Sequence, residues 1–457
     1  MSLRVSLPLC FALGGAVGAP GLAAQQPVTR PQAVAAALAR GTRAALGRAD
    51  TAFAAGALRT ARALPNPTLS GTYTKDVPHY HYVADLALDL PWLRSARVGA
   101  AASARDAARY GFAFERAAIR FDADTTYTRA LAALAHARLS RRTARDADSL
   151  LTMARLRREV GDVSELDVRL AEVNAGQLEN VAVDDSLAAL DALLAVQFVM
   201  GLPADVPTIT LSDSLVPTGT TPVDTTGVGD PLPVVAAAAT LRSAERTLTF
   251  AHRSVFAAPT IQVGFERGDP TEPAGTVLPT FGVSWPFPLF NWNRGEIGQA
   301  RAARDRAQAQ LDLTRRESAA DLSRARRLLV AALERVARGR RLLASADRVA
   351  AMSLRAYAEG AVPLANVLEA QRNAREALGR YIDDVALLND AAGAVRLLTA
   401  SDDQPCAASL SSSSSRPGAA RGPRPTMRRP PPPKPSRRRP RSRRSSRSRG
   451  SCEPSAP

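Results

Sequence analysis

An internal duplication limits the fold of this chain more than any other feature of its sequence. Residues 161–175 and 360–374 align at an offset of 199 and share six identities in fifteen positions. Upstream, Pro67-Thr68-Leu69 resembles Pro259-Thr260-Ile261. Self-similarity of this kind indicates that one structural unit is used twice. The first copy is predicted at residues 25–201 and the second at residues 230–400. Between them, residues 202–229 are predicted to form an irregular linker rich in Pro and Thr.

Each copy predicts the same order of elements. A helix (residues 30–63 and 231–257) leads into two strands, a helix of about seventy residues, a tight turn and a return helix of nearly forty. In the second copy, small and apolar residues of the long helix alternate in steps of three and four, at Leu322, Ala325, Leu329, Ala332, Val336, Gly339, Leu343, Ala346 and Ala350. This spacing is typical of a coiled-coil seam. Such a helix is roughly 100 Å long, which no compact globular domain requires.

Glycine occupies the turn of both predicted hairpins, as Gly161 and Gly360. A glycine ends a helix in the left-handed conformation at little steric cost. Ser164 and Pro363 follow and suit the N-cap or first turn of the return helix. We therefore predict two helical hairpins whose turns are built alike.

Apolar and polar residues alternate in the four predicted strands. The apolar positions are Ala84, Leu86, Leu88 and Leu90 in the first copy and Ile261, Val263, Phe265, Phe281, Val283, Trp285 and Phe287 in the second. Strands of roughly ten residues with this pattern are typical of outer-membrane barrels, which have lipid on one side and water on the other. Four strands cannot close a barrel and an open edge is not tolerated in hydrocarbon, so several chains would share one barrel. Two ordinary hairpins packed on helices in a soluble protein are the alternative, which alternation alone does not exclude.

Charged and aromatic residues near the strands add two expectations. Asp85, Asp89 and Glu266 fall on the polar side and predict a cation-favouring lumen. Aromatic residues cluster at the strand ends, as in an interfacial girdle. They are Tyr73, Tyr80, Tyr82, Trp92, Trp285, Phe290 and Trp292.

The first residues predict a secretory signal peptide at residues 1–24. Arg4 precedes an apolar run, and small residues end the segment, with cleavage expected after Ala23 or Ala24. Cys10 lies within this segment, and we interpret it as part of the signal and not as a lipid-anchor site. No later stretch reaches the roughly 18 apolar residues of a transmembrane helix.

The formal charge of +17 is concentrated near the C-terminus. Residues 401–457 hold 14 Arg or Lys and 3 Asp or Glu, and their Arg/Pro/Ser-rich composition predicts a disordered tail. Outside it there is no basic footprint, so we expect no nucleic-acid partner. The abrupt change of composition also fits GC-rich DNA read in a shifted frame. Cys406 and Cys452 lie in this tail, so the folded part is expected to have no disulfide or Cys-based metal site.

Motifs for catalysis are missing from the sequence. There is no phosphate-binding loop, no His-Glu-x-x-His pair and no Gly-x-Ser-x-Gly turn. His79 and His81 could bring two imidazoles to one metal ion, but two ligands do not complete a site and an exposed turn explains them as well. We expect neither an enzyme nor a cofactor.

Three motifs, in this order, resemble the TolC family of outer-membrane efflux proteins over residues 28–400. They are the run Ala63-Leu64-Pro65-Asn66-Pro67-Thr68-Leu69, the run Pro288-Leu289-Phe290-Asn291-Trp292, and the doubled turn, in which Tyr357-Ala358-Glu359-Gly360 is followed by Asn366-Val367-Leu368-Glu369-Ala370-Gln371. The resemblance implies a mainly α-helical fold with long coiled-coil hairpins in a trimeric α-barrel. It also implies that four strands per chain form part of a shared 12-stranded β-barrel.

The resemblance further implies an outer-membrane channel with its helical part in the periplasm, where it meets an adaptor protein and an inner-membrane pump. The turns would form the inner aperture and the adaptor-docking end, with Gly161, Asp167, Tyr357, Gly360, Asn366 and Glu369 as its residues. The family often has carboxylates at the positions of Asn366 and Glu369, so the acidic ring here is expected to be weaker. Asp167 is equally well explained as a solvated turn carboxylate.

Two other functions are open at this point. One is a periplasmic coiled-coil adaptor or scaffold without a membrane barrel, and the other is a basic nucleic-acid-binding protein. Neither explains the duplicated strand pairs. The cargo of a channel is left open among small molecules, metal ions and polypeptides.

Overall fold

The computed structural model describes residues 26–218, 229–271, 273 and 276–400. The predicted signal peptide (residues 1–24), the predicted tail (residues 401–457), part of the linker and all three cysteines lie outside the described residues.

The described residues form seven helices and six strands. The helices are α1 (Arg30–Arg40), α2 (Thr42–Arg62), α3 (Pro91–Glu159), α4 (Glu165–Val199), α5 (Leu232–Arg253), α6 (Arg294–Ala358) and α7 (Leu364–Leu398). The strands are β1 (Gln26–Val28), β2 (Thr68–Tyr73), β3 (Tyr80–Ala87), β4 (Ile209–Leu211), β5 (Thr260–Arg267) and β6 (Val277–Ser284). In the described part of the chain, no helix is both long enough and apolar enough to cross a membrane.

The long hairpins confirm the predicted mainly α-helical fold. Helices α3 and α6 have 69 and 65 residues, and each return helix has 35. Of the predicted seam of α6, Ala325, Ala332 and Val336 are buried. The small residues of this seam bring α6 and α7 together over much of their length.

The first helix differs from the prediction, because it divides into α1 and α2 at Gly41. The backbone there is extended, with φ −58° and ψ 140°. A Cβ atom on Gly41 would lie 2.3 Å from the carbonyl oxygen of Ala37. Gly201, just after α4, passes so close that its own Cβ would lie 2.7 Å from the carbonyl oxygen of Arg40. The break therefore reflects a close backbone approach that helical periodicity does not reveal.

The helices form four columns side by side. Near the turns, α4 packs on α3, α3 on α7 and α7 on α6. Toward the sheet, α2 packs on α3, α3 on α5 and α5 on α6. The two outer columns are therefore α2 with α4 on one side and α6 on the other.

The four predicted strands form one antiparallel sheet in the order β2-β3-β5-β6. Leu69 pairs with Ala84, Ala84 with Val263, and Val263 with Phe281, so apolar residues from all four strands meet on one face. Strands β2 and β6 have no sheet neighbour on their outer sides among the described residues. The alternation predicted from the sequence thus continues across the whole sheet.

A second, smaller sheet was not predicted. Strands β1 and β4 pair in parallel, and β4 lies in the segment expected to be an irregular linker. Each has only three residues, too few for a periodic pattern.

A buried tyrosine fixes this small sheet to the helices. The hydroxyl of Tyr127 on α3 lies 2.8 Å from the carbonyl oxygen of Val28 and 2.9 Å from Oδ2 of Asp213. Burial, with the Asp213 carboxylate, raises the pKa of Tyr127 to about 12, so the hydroxyl stays a hydrogen-bond donor. Asp124 on the same helix binds Arg30 of α1 and Arg396 of α7, each at 2.9 Å. These contacts join both copies at mid-height.

Candidate functional site

The two predicted turns lie side by side at one end of the molecule, and we call this end the tip. A shared apolar cluster joins them, made of Leu150, Leu151, Ala154, Ala171, Tyr357, Leu364 and Val367. Tyr357 is only 2 % exposed, although it stands one residue before the end of α6. The tip is therefore one packed unit with a contribution from each copy.

Both turns have the same backbone construction. Gly161 has φ +81° and Gly360 has φ +74°, so both adopt the left-handed conformation predicted for them. The amide N–H of Asp162 donates to the carbonyl of Arg157, and that of Ala361 to the carbonyl of Ala356, both at 2.8 Å. These i to i−5 hydrogen bonds define a Schellman motif, which requires a residue with a positive φ.

Arg157 joins the two turns through its side chain. Its Nη1 donates to the carbonyl oxygen of Tyr357 at 2.7 Å, and its guanidinium lies 4.8 Å from the centre of the Tyr357 ring. Its Nε donates to Asp162 at 2.8 Å, and this hydrogen bond raises the pKa of Arg157. One cation thus binds a backbone carbonyl, an aromatic face and a carboxylate at the same point.

The Tyr357 hydroxyl has no hydrogen-bond partner among the described residues, although it is buried. Burial raises the pKa of Tyr357, and the neighbouring Arg157 opposes that shift. The packing of the ring, and not its hydroxyl, therefore accounts for the place of Tyr357 in the tip.

The polar residues predicted at the aperture, Asp167, Asn366 and Glu369, divide into two groups. Asp167 accepts from the backbone N–H of Ser164 at 3.2 Å and from its hydroxyl at 2.8 Å, while Ser164 Oγ accepts from the N–H of Asp167, a reciprocal capping box. Asn366 and Glu369 are exposed on the first turns of α7, and Glu369 accepts from Asn373 at 3.3 Å. The structure thus brings Gly161, Asp167, Tyr357 and Gly360 together and leaves the other two on the surface beside them.

Sequence reasoning missed Arg157 and Asp162. The equivalent positions in the second copy hold Ala356 and Ala361, so the duplication gives no signal for this pair. A usable signal was present, since a basic residue in the last turn of a helix is favoured by the helix dipole and an acid follows five residues later. Only the structure shows that Tyr357 lies in contact with Arg157.

The polar face of the sheet holds two of the three predicted lumen carboxylates. Asp85 and Glu266 share it with His81, whose Nδ1 lies 3.2 Å from Oε1 of Glu266. Asp89, the third, lies off the strand. Strand β3 ends at Ala87, and the Asp89 side chain is 4 % exposed because it pairs with Arg97 at 2.9 Å and with Arg94. A buried carboxylate needs such partners, so Asp89 stabilises the start of α3.

The opposite face of the sheet is apolar and open. Leu69 is 82 % exposed, Phe281 77 % and Val283 74 %. Tyr73 and Tyr80 pack together at one end of the strands, where their tilted rings have centres 5.2 Å apart. The other predicted girdle residues are exposed too, with Tyr82 on the strands and Trp92, Trp285, Phe290 and Trp292 at the opposite end. A contiguous apolar surface of this kind marks an interaction surface.

The histidine pair has other partners. Nδ1 of His79 lies 3.2 Å from the carbonyl oxygen of Thr74, and Nε2 of His81 lies 3.3 Å from the Thr74 hydroxyl. Across the part of the chain that the structure describes, there is no group of three or more His, Cys, Asp or Glu residues suited to a metal ion.

The sequence matches no protein-family model and no curated protein. Solved structures are similar, however. The outer membrane protein VceC from Vibrio cholerae has a TM-score of 0.67 at 15 % identity, over 81 % of this chain and 95 % of VceC. The CmeC outer membrane channel of Campylobacter jejuni has a TM-score of 0.70 at 15 % identity, over 87 % and 94 %. The MtrE outer membrane channel of Neisseria gonorrhoeae has a TM-score of 0.65 at 13 % identity, over 81 % and 88 %. The resemblance drawn from the sequence is thereby confirmed at the level of the fold.

Replacing Arg157 with Gln should loosen the tip without unfolding the helices. The change removes the hydrogen bonds to Tyr357 and Asp162 and the contact with the ring. We expect amide hydrogen exchange to accelerate about tenfold in residues 157–163 and 357–363, since a charged hydrogen bond contributes about 1.5–3 kcal/mol. Mass spectrometry of peptide fragments measures this rate. Arg158→Gln is the matched control, and equal acceleration in both variants would contradict the role given to Arg157.

Proposed function

We propose that this chain, which has the fold of outer-membrane channel proteins, is one subunit of a trimeric outer-membrane channel and serves as the passive conduit of an export system. An inner-membrane pump supplies the energy, and a periplasmic adaptor connects pump and channel. The four-stranded sheet lies in the outer membrane and the long helices extend into the periplasm.

The open apolar face of the sheet is the observation that carries this proposal. Leu69, Val263 and Phe281 on paired strands all project to one side, and all are exposed in the single chain. Exposing this apolar face to water costs free energy, whereas contact with lipid would remove that cost. The exposed aromatic residues at both ends of the strands suit the two membrane interfaces.

The free edges of the sheet support more than one copy. Strands β2 and β6 end the described sheet with unpaired backbone groups, which hydrocarbon cannot satisfy. Pairing β6 of one copy with β2 of the next satisfies them, and three copies supply twelve strands. The helices fit the same arrangement, because four columns per copy give twelve columns in a ring.

The tip supports a docking role. It is the end of the molecule farthest from the sheet, and the exposed side chains of Asn366 and Glu369 lie beside its two turns. We propose that this end forms the periplasmic aperture and receives the adaptor. The role of Asp167 is then to cap α4, which keeps the turn rigid.

The fold shared with channel proteins and the predicted signal peptide support a conduit. In this proposal the energy for export comes from the pump. The cargo is a small molecule, a metal ion or a polypeptide, and the neighbouring pump would select it.

An arginine on the apolar face should weaken membrane insertion far more than one on the polar face. Phe281→Arg places a charge toward lipid, at a cost of about 2–4 kcal/mol near the middle of the membrane. Thr280→Arg is the matched control, because it is the adjacent residue of β6 and projects to the other face. We expect carbonate washing of outer membranes to release Phe281→Arg and to retain Thr280→Arg and the unaltered protein. If the unaltered protein were also released, a periplasmic scaffold without a barrel would be the better interpretation.

Removing the carboxylates of the polar face should reduce cation preference. Asp85→Asn combined with Glu266→Gln removes two negative charges per copy from the proposed lumen. In planar bilayers under a salt gradient, we expect the reversal potential to move toward zero while conductance is kept. Asp50→Asn, on the exposed helix α2, serves as a control outside the sheet. An unchanged reversal potential in the double variant would contradict a lumen lined by these residues.

A further inference from the structure

The two outer columns carry opposite charge next to the tip. Helix α4 contains seven Asp or Glu and a single Arg. From Arg324 to its end, α6 contains nine Arg and two acids. Neither composition is needed for packing inside the chain, because α4 packs on α3 and α6 packs on α7.

Charged residues on the two helices repeat every seven positions and at matching heights. Glu165, Glu172 and Glu179 lie 4, 11 and 18 residues after the turn glycine Gly161. The arginines on α6 lie 5, 12 and 19 residues before the turn glycine Gly360, at Arg355, Arg348 and Arg341. Since both turns belong to the packed tip, and Glu165 begins α4 while Arg355 lies three residues before the end of α6, the two sets lie at similar heights, within about one helical turn of each other. A seven-residue repeat also keeps each set along one side of its helix.

These charges are exposed and incompletely paired within the chain. Arg341, Arg348 and Arg355 are exposed and form no ion pair with any described residue. On α4, Glu179 likewise has no ion pair there, while Glu165 and Glu172 share Arg169 at 3.7 and 3.0 Å, and Glu172 also lies 3.6 Å from Arg155.

Apolar side chains stand exposed among these charges. On α4, Val173 and Leu187 are exposed, while Ala171, Leu178, Ala182 and Ala189 on the other side of the helix are buried. On α6, Leu342 and Val349 are exposed beside Arg341 and Arg348. Apolar residues that are exposed together on one side of a helix mark a surface that another chain can cover.

We infer that α4 of one copy packs antiparallel against α6 of the next, with Glu165, Glu172 and Glu179 facing Arg355, Arg348 and Arg341. The occupant of each edge is thus a second copy of this chain. The inference rests on the proposed function only in that copies surround a common axis, and it adds which residues pair and what selects the arrangement.

The charge pattern selects a ring over a two-fold dimer. Pairing α4 with α4, or α6 with α6, places like charges opposite each other, which strongly disfavours that partner. Pairing α4 with α6 joins different surfaces of successive copies, and such contacts close into a ring when the rotation permits. Individual exposed ion pairs contribute little, so the effect depends on three at matching height in each interface.

Charge reversal on one edge, and then on both, tests the inference. Three full-length variants are compared. The first carries Glu165→Arg, Glu172→Arg and Glu179→Arg, and the second carries Arg341→Glu, Arg348→Glu and Arg355→Glu. The third carries all six changes. The rate at which labelled subunits exchange between oligomers in detergent is measured. Each one-edge variant should exchange about tenfold faster than the unaltered protein or more, and the six-residue variant should return toward the original rate.

The matched control places the same charge change on an inner column. Arg138→Glu, Arg142→Glu and Arg145→Glu alter exposed residues of α3 that lie 16 to 23 residues before the turn glycine Gly161. This control should exchange at the original rate. If the one-edge variants also did so, or if the six-residue variant were not restored, the inference would be overturned while the channel proposal stood. If the unaltered protein formed no oligomer, the proposed function itself would fail.

Salt provides a second measurement in case a variant does not fold, as judged by far-ultraviolet circular dichroism. The screening length falls to about 3 Å at 1 M salt. Subunit exchange in the unaltered protein should therefore accelerate between 0.05 and 1 M sodium chloride. An exchange rate independent of salt would overturn the inference.

Discussion

The structure depends on one constraint, which is that a single chain cannot satisfy its own sheet. Among the residues that the structure describes, the four strands pair with each other and leave β2 and β6 as free edges, and the apolar face formed by residues such as Leu69 and Phe281 is uncovered. Uncovered apolar surface carries a cost in water, whereas unpaired backbone groups carry a cost once they are removed from water. In the proposed channel, lipid would cover the face but would make the free edges costlier still, and pairing with further copies of the chain would resolve both. The helices show the same incompleteness, because four columns in a row have two outer sides.

The duplication supplies symmetry, and the differences between the copies supply the specific contacts. Both turns use a glycine at positive φ and the same i to i−5 hydrogen bond. The side chains have diverged, since Arg157 in the first copy has Ala356 as its counterpart. Because of this difference, Arg157 of the first turn can bind the carbonyl oxygen and the ring of Tyr357 in the second turn. The two outer columns also differ in charge, since α4 of the first copy is acidic and the second half of α6 in the second copy is rich in Arg.

Local periodicity predicted most of the architecture but few of its contacts. The hairpin lengths, the left-handed glycines and the alternation of the strands follow from patterns within short windows, and all appear in the structure. The break at Gly41 depends on the approach of Gly201, and the pairing of β1 with β4 joins residues far apart in the chain, so neither leaves a local signal. Asp89 fits the alternation of β3 but lies beyond its end, where Arg94 and Arg97 bind it. At the tip, the sequence identified Tyr357 but not Arg157, because that contact exists only once the two copies fold together.

The number of copies in the membrane-extracted protein tests the central claim most directly. Native mass spectrometry after mild detergent extraction of outer membranes counts the chains in each particle. A sheet that cannot be completed within one chain predicts particles of three chains, with no appreciable monomer. A single chain per particle, with its helices and sheet intact, would contradict the account.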